Sequence, residues 1–330
     1  MKKILAWFFF SCLSIGVVIS LKSEIYWNIA ESLAEKYWSQ NQKTKHVTTT
    51  KPFNMVNNSK AETVMIRLMQ YNIGIFNYGI KRPSRDAGLR ENEYEEKLNN
   101  YKAMFCKYQP AIIGLQEIIE YIDHNELHLT NEVLFDSIYP YKIDYFAHER
   151  AIKSKYPIRH IKTTWLKTVV KGRTYYAGCL HGRITIGSKE IDVITTVLPS
   201  YSDAEHKQAR ANLLPNVLSL LDDSEYGFIM LDVNCGGNAR TTEASIQEAK
   251  ELLAVAQAAG YNFANGGLMQ WKDTYNQKSR GGINRFTPYD NIIYKDNGKI
   301  LLNDFQVLYE EFDNLTSDHY PVFGDFTLLE

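Results

Sequence analysis

The sequence predicts a mixed α/β domain preceded by a separate N-terminal segment, and three observations lead to that class. Apolar runs at 111–115 and 228–231 have the length and composition of buried central strands. Segments of helical periodicity at 91–108, 204–221 and 242–259 alternate with the strand-like runs. Finally, a polar tract over 39–60, rich in Thr, Asn, Lys and Gln, ends just before the first alternating segment. The 330 residues, 45% hydrophobic and 13% aromatic, suffice to bury one large core or two small ones.

The N-terminus is read first. Lys2 and Lys3 precede an apolar run over 4–21, the pattern of a secretory signal or of a membrane anchor. Val18 and Ser20 stand where a cleavage site needs small residues, and lipidation at Cys12 is a third alternative, although Phe9-Phe-Ser-Cys12 lacks the expected leucine. Each alternative exports the domain, to a periplasmic, cell-surface or membrane-anchored place outside the cytoplasm, and the anchor alternative attaches it to the membrane through 4–21. Ile25, Ile29, Leu33 and Tyr37 then define one amphipathic helix over 24–38, and the polar tract that follows reads as a spacer. The organisation is therefore 1–21 signal or anchor, 22–62 helix and spacer, and 63–330 the domain.

Within the domain, 64–73 alternates as a strand. Residues 91–108 form a helix through Tyr94, Leu98, Tyr101 and Phe105, stopped by Pro110. The 111–115 strand follows directly, so Glu117 falls where a strand gives way to a loop. Residues 184–198 read as a hairpin around Gly187-Ser188, 204–221 as a helix broken or kinked at Pro215, and 228–231 as a buried strand delivering Asp232. Gly260 closes the helix over 242–259, and further strands are read at 290–294, 304–308 and 322–328. No internal repeat or heptad array is present.

Charges nearly cancel, 37 Lys and Arg against 38 Asp and Glu, so no global field draws the chain onto nucleic acid or anionic lipid. Between Arg150 and Lys189, however, ten Lys or Arg occur with no Asp or Glu, either a solvated basic strand face or the rim of an anion site. Three cysteines beyond Cys12 cannot all pair, which excludes a disulfide scaffold. Cys106 and Cys179 read as small buried hydrophobes, and Cys235 lacks an evident activating base.

Five segments each end a strand or loop with a polar group: Tyr71-Asn72, Gln116-Glu117, Asp232-Val233-Asn234, Asp290-Asn291 and Ser317-Asp318-His319. A carboxylate at the end of an apolar strand is costly unless something pairs with it, and a divalent cation is the strongest partner for Glu117. Asp232 and Asn234, two apart, share one side if the segment stays extended; the bland alternative is an Asx turn leading into Gly236 and Gly237. Together the five describe oxygen ligands for a hard cation, with an Asp and a His left over to move protons.

In order and spacing, Met65-Ile-Arg-Leu-Met-Gln-Tyr-Asn72, Ile112-Ile-Gly-Leu-Gln-Glu117, Phe228-Ile-Met-Leu-Asp-Val-Asn234, Pro288-Tyr-Asp-Asn-Ile292 and Ser317-Asp-His-Tyr-Pro-Val322 resemble the endonuclease/exonuclease/phosphatase family over about 64–328. The resemblance implies a four-layer α/β sandwich, two mostly antiparallel sheets packed face to face with helices outside. It implies Mg²⁺ or Mn²⁺ held by Asn72, Glu117 and Asp318. It also implies that Asp232 activates water, Asn234 and His319 contact the phosphoryl group, and Asp290 orients His319. One departure stands out: Thr196-Val197-Leu198 occupies the place of the family's usual Thr-His-Leu, so a phosphate-binding histidine is replaced by Val197.

The leading expectation is an exported, monomeric, metal-dependent phosphoesterase acting on a phosphorylated small molecule, lipid or nucleic acid. The alternatives are a catalytically impaired binder of phosphate ligands and a membrane-tethered nuclease. Trp271, Tyr275 and Phe286 precede Asp290 in a loop-rich stretch, where they either flank a ligand or enter the core.

Overall fold

The computed structural model describes residues 63–74, 91–118, 121–122, 129–130, 135, 137–145, 149–201, 203–236, 242–275, 286–314 and 317–330. The apolar run at 4–21, the helix at 24–38 and the spacer lie outside these residues. No helix among the described residues is long and apolar enough to cross a membrane.

Two six-stranded sheets form the frame. The first has the order β13-β14-β1-β2-β6-β5, with β1 Val64–Asn72, β2 Ile112–Gln116, β5 Tyr141–Tyr145, β6 Arg150–Ser154, β13 Ile300–Val307 and β14 Val322–Leu328. The second has the order β11-β12-β10-β9-β8-β7, with β7 Ile158–Val170, β8 Arg173–Ile186, β9 Lys189–Val197, β10 Tyr226–Asp232, β11 Tyr261–Phe263 and β12 Asp290–Lys295. Short strands β3 Tyr121–Ile122 and β4 Leu129–Thr130 pair separately.

Each six-stranded sheet has one parallel pair, β1 with β2 and β9 with β10, and antiparallel pairs elsewhere. A parallel pair needs a crossover, and helices supply both. Helix α1, Glu91–Tyr108, joins β1 to β2, and α2, Ala204–Leu218, joins β9 to β10. The consequence is functional: two adjacent strands in each sheet finish at the same edge, carrying Asn72 beside Gln116 and Val197 beside Asp232.

Helices cover the outer faces. Tyr101, Met104 and Phe105 of α1 pack in one buried cluster with Met69, Tyr71, Ile113 and Leu115. Leu213, Leu214 and Val217 of α2, with Leu252 and Ala256 of α3 (Thr242–Ala258), form another with Ile194, Ile229 and Leu231. Between the sheets, Phe326 meets Phe228 at 4.9 Å and Tyr294 at 5.5 Å between ring centroids. Gly114 faces Met230 so closely that a Cβ on it would lie 2.6 Å from the methionine Cβ. Helix, sheet, sheet, helix is the four-layer order expected.

Local expectations fail in three places. Helix α2 is not broken at Pro215 but runs to Leu218, then tightens into a 3₁₀ turn over Ser219–Leu221. Cys106 is exposed rather than buried, while Cys179 and Cys235 are buried as read. The basic stretch is not one solvated face: it spans β6 and the long β7–β8 hairpin, and Arg150, Lys153 and Lys189 are buried.

Candidate active site

At the common edge of the sheets, β1 and β2 from one side meet β10 and β12 from the other. Asp232 at the end of β10 stands directly opposite Asp290 at the start of β12, and both are buried. Opposite residues of an antiparallel pair project from the same face, so two carboxylates share one interior site. Charge of this density must be compensated.

His319 supplies part of the compensation. Its Nδ1 donates to Asp290 Oδ2 at 2.8 Å, and its Nε2 faces Asp232 Oδ2 at 4.0 Å. Burial by itself lowers the pKa of the imidazole. The charge and hydrogen bond of Asp290, then the charges of Asp232 and Asp318, outweigh burial and raise it to about 10. The other oxygen of Asp290 accepts a short hydrogen bond from Gln70 Nε2. For Asp232, burial is the largest influence and, joined by Asp290 and Glu117 against His319 and Asn72, it pushes the carboxyl up to about 7.

The loop bearing His319 is held in place from β1. Ser317 Oγ donates to the Asn72 carbonyl at 2.6 Å and accepts from the His319 amide at 3.1 Å. Tyr275 packs edge-on against the His319 ring at 5.0 Å and donates its hydroxyl to Asp318 Oδ2 at 2.7 Å. Tyr289 lies 5.8 Å from the His319 ring and 5.0 Å from Tyr275, so the two tyrosines pack together against the imidazole.

Asn72 joins the two halves. Its Nδ2 donates to Glu117 Oε1 and to Asp232 Oδ2, each at 3.0 Å, while its Oδ1 accepts from the Gly74 amide at 3.0 Å. In this arrangement the amide bridges two carboxylates rather than presenting oxygen to a cation. Glu117 follows β2 with φ +52, an unusual backbone for a non-glycine residue and one that costs on the order of 1–3 kcal/mol. That turn brings its carboxylate to Asn72 instead of letting it continue along the strand.

Asn234 also has positive φ, +54, and its amide donates to Asp232 Oδ1 at 3.0 Å. The segment is therefore an Asx turn and not an extended strand, which corrects the reason given for placing Asp232 and Asn234 together. The Asn234 side chain donates one amide hydrogen to Leu198 O at 3.0 Å, and the amide has a second hydrogen and its oxygen besides. Behind it, Arg210 of α2 ties the site loops together. It donates to Glu248 Oε1 at 2.7 Å and to the carbonyls of Pro199 and Tyr201 at 2.7 and 2.5 Å, and Glu248 Oε2 accepts the Gly236 amide at 3.0 Å.

Two groupings bear on a cation. Ligand atoms of Asp232, Asp290 and His319 lie within 4.8 Å of one another. His319 Nδ1 is taken up by Asp290 Oδ2, and the surrounding carboxylates favour the charged imidazole, so this group suits proton handling. Glu117, which meets Asp232 at one Asn72 amide, offers a hard carboxylate of the kind that fits Mg²⁺ or Mn²⁺. Cys235 is excluded as a nucleophile, because burial pushes its thiol far above the range in which a thiolate forms.

Neither a protein-family model nor a curated protein matches the sequence. Solved structures do match over most of the chain. An endonuclease/exonuclease/phosphatase from Beutenbergia cavernae is 12% identical with a TM-score of 0.56, over 80% of this chain and 72% of its own. The human Nocturnin catalytic domain with bound sulfate is 17% identical with a TM-score of 0.53, over 81% and 97%. D. rerio TDP2 complexed with a single-strand DNA product is 12% identical with a TM-score of 0.52, over 79% and 98%. The chain has the endonuclease/exonuclease/phosphatase fold.

Within this fold, hydrogen bonds link Asn72, Glu117, Asp232 and Asn234 in one group, and Asp290 with His319 and Asp318 with Tyr275 in two neighbouring pairs. Gln70 and Tyr289 were not singled out from the sequence, and Tyr275 was left between ligand flank and core. Tyr275 is a site residue, whereas Trp271 packs against the outer core. A signal for Gln70 existed, since an inward-facing amide two residues before Asn72 in an apolar strand needs a polar partner.

Proposed function

We propose that this protein is a divalent-cation-dependent phosphoesterase that cleaves its substrate by attack of water. The observation that carries the reading is the convergence of Asp232, Asp290 and His319 within 4.8 Å, with His319 Nδ1 held by Asp290 at 2.8 Å and Glu117 joined to Asp232 through the Asn72 amide. Asp232 accepts the proton of the attacking water, and a carboxyl tuned near the working pH serves this well. His319 Nε2 and the second Asn234 amide hydrogen donate to phosphoryl oxygens as negative charge grows there. Tyr275 fixes Asp318, and Asp290 fixes the orientation of the His319 ring and favours its charged form. Glu117 and Asp318, with Asn72 beside them, would hold Mg²⁺ or Mn²⁺, which supplies charge neutralisation and polarises the phosphoryl group.

The near-zero net charge supports a small phosphoester or a lipid headgroup over a long nucleic acid, although D. rerio TDP2, of the same fold, holds a single-strand DNA product. Lys2, Lys3 and the apolar run at 4–21 support export. Fractionation tests that part: unprocessed chain in the soluble cytosol overturns it.

A hydrolysis screen over phosphomonoesters, phosphodiesters, phospholipids and nucleic acids, with Mg²⁺ or Mn²⁺ and then chelator, tests the activity. Chelator is expected to abolish turnover, and Asp232→Asn or His319→Ala to lower kcat by on the order of 10²-fold or more. Full activity in chelator, or near-normal rates in both variants, would overturn the assignment.

A further inference from the structure

Val197 ends β9 level with Asp232, and the side chain there is apolar. The neighbouring strand of the facing sheet carries a cation that no carboxylate among the described residues holds. Arg150 begins β6 directly opposite Gln116 in the antiparallel β2–β6 register. Gln116 points between the sheets, donating to Thr195 Oγ1 at 2.7 Å and to the Met230 carbonyl at 3.3 Å, so Arg150 points there too. The next residue, Ala151, turns to the outer cluster with Tyr101 and Phe105, as strand alternation requires.

Arg150 is 9% exposed, and among the described residues its side chain makes one hydrogen bond, from Nη1 to the Glu149 carbonyl at 3.0 Å. Its Nε is buried with no hydrogen-bond partner. Other buried or half-buried arginines have a carboxylate partner: Arg67 grips Asp325 with two nitrogens, Arg183 grips Asp192 with two, and Arg210, though its Nη2 is also buried without a partner, holds Glu248. Glu149, Glu117 and Asp232 are close enough to act on the charge of Arg150, yet none of their carboxylates bonds to it. A guanidinium keeps its charge when buried, so leaving it half-satisfied is costly unless a ligand completes it. Its planar fork matches two oxygens of a phosphoryl group.

Position selects that ligand. Arg150 lies on the β8–β9 side of Gln116; Gln116 contacts Thr195, two residues before Val197. β6, which carries Arg150, packs against β8 and β9, and Glu117 and Asp232 act on the Arg150 charge. The guanidinium thus lies beside the site, on its β8–β9 side.

We infer that Arg150 binds a phosphoryl oxygen of the substrate, supplying from the first sheet the positive charge that the second sheet lacks at Val197. The inference rests on the phosphoester reading of the site, and its test uses binding, which does not require turnover.

Inorganic phosphate is titrated calorimetrically into the full chain in Mg²⁺, for the native protein, Arg150→Met, Arg150→Lys, and Arg150→Met combined with Val197→His. Arg150→Met is expected to weaken phosphate binding by about tenfold to a hundredfold, the loss of one or two charge-assisted bonds. Arg150→Lys, which keeps charge but not the fork, should fall between. Val197→His should recover part of the affinity in the Arg150→Met background, since the same oxygen is then met from the facing sheet. Thermal unfolding separates this role from a structural one: with no carboxylate partner to orphan, Arg150→Met should hold or raise Tm, whereas a structural arginine would lower it.

Equal phosphate affinity in the native protein and Arg150→Met overturns the inference, as does absence of phosphate binding in the native protein, or an affinity loss accompanied by a matching fall in Tm. If phosphate binds through Arg150 but no phosphoester is hydrolysed, the hydrolase reading fails and the Arg150 assignment stands. If hydrolysis is found and Arg150→Met leaves phosphate affinity and kcat/KM unchanged, only the Arg150 assignment fails.

Discussion

Gly114→Ala tests how tightly the site depends on the spacing of the two sheets. The added Cβ would lie 2.6 Å from Met230 Cβ and 2.7 Å from its Sδ and Cε. Carbon contacts settle at about 3.5–4.0 Å, so the sheets must part locally by about 1 Å. Sδ and Cε can swing away, but a Cβ cannot. Overpacking of this kind costs typically about 1–3 kcal/mol, and the upper end applies where no rotamer relieves it. At roughly 2–4 °C per kcal/mol for a domain of this size, calorimetry should find Tm lowered by about 5–10 °C.

The same opening acts on the site, because Gly114 lies two residues before Gln116 on the face that reaches Thr195, and Met230 lies two before Asp232. A displacement of about 1 Å can cost on the order of 10²-fold in rate, so kcat/KM should fall tenfold or more well below the new Tm. Met230→Ala should fail to rescue Gly114→Ala, since the Cβ clash persists, while Met230→Gly should restore part of the activity. An unchanged Tm in Gly114→Ala, or full rescue by Met230→Ala, would refute the reasoning.

Three further outcomes are expected. Asp290→Asn removes the main charge holding the His319 proton, so in chelated protein the His319 ring signals should titrate at least two pH units lower than in the native protein; titration at the same pH would show that Asp290 is not the cause. Because the folded-state pKa of His319 is raised from 6.5 to about 10, its stabilisation is complete below pH 6.5 and is lost as pH rises through 10; denaturation of the metal-free protein between pH 7 and 10 should show a loss of a few kcal/mol that His319→Gln lacks. Arg210→Met leaves the buried Glu248 unpaired and should cost about 3–5 kcal/mol by denaturant unfolding, with Glu248→Gln less severe; wild-type stability in Arg210→Met would mean that the ion pair does not hold the loops.

Much of the frame is legible locally. Apolar runs at 111–115 and 228–231, leading to Glu117 and Asp232, reveal central strands with polar ends, because such runs are buried on both faces and a polar group can follow only where the strand leaves the core; the alternating segment that ends in Asn72 reveals a third strand. The order of these ends, with Asp290 and His319, carries the resemblance to the endonuclease/exonuclease/phosphatase family. Helices α1, α2 and α3 are legible from their period, since one buried face suffices to set it.

What only the tertiary structure decided is who faces whom across the sheets. Gln70 meets Asp290 220 positions away, Tyr275 lies on His319, and Asn72 serves Glu117 and Asp232 at once. These contacts follow from strand order and register, which no window of sequence contains. The Asx turn at Asn234 depends on where β10 stops, and the continuity of α2 past Pro215 on tertiary packing over the sheet. Arg150 shows the difference most plainly: in the sequence it opens a basic stretch, and register with Gln116 alone turns it from a surface charge into a buried one beside the site. Residue chemistry is local, but desolvation and pairing, which set what that chemistry does, belong to the assembled sheets.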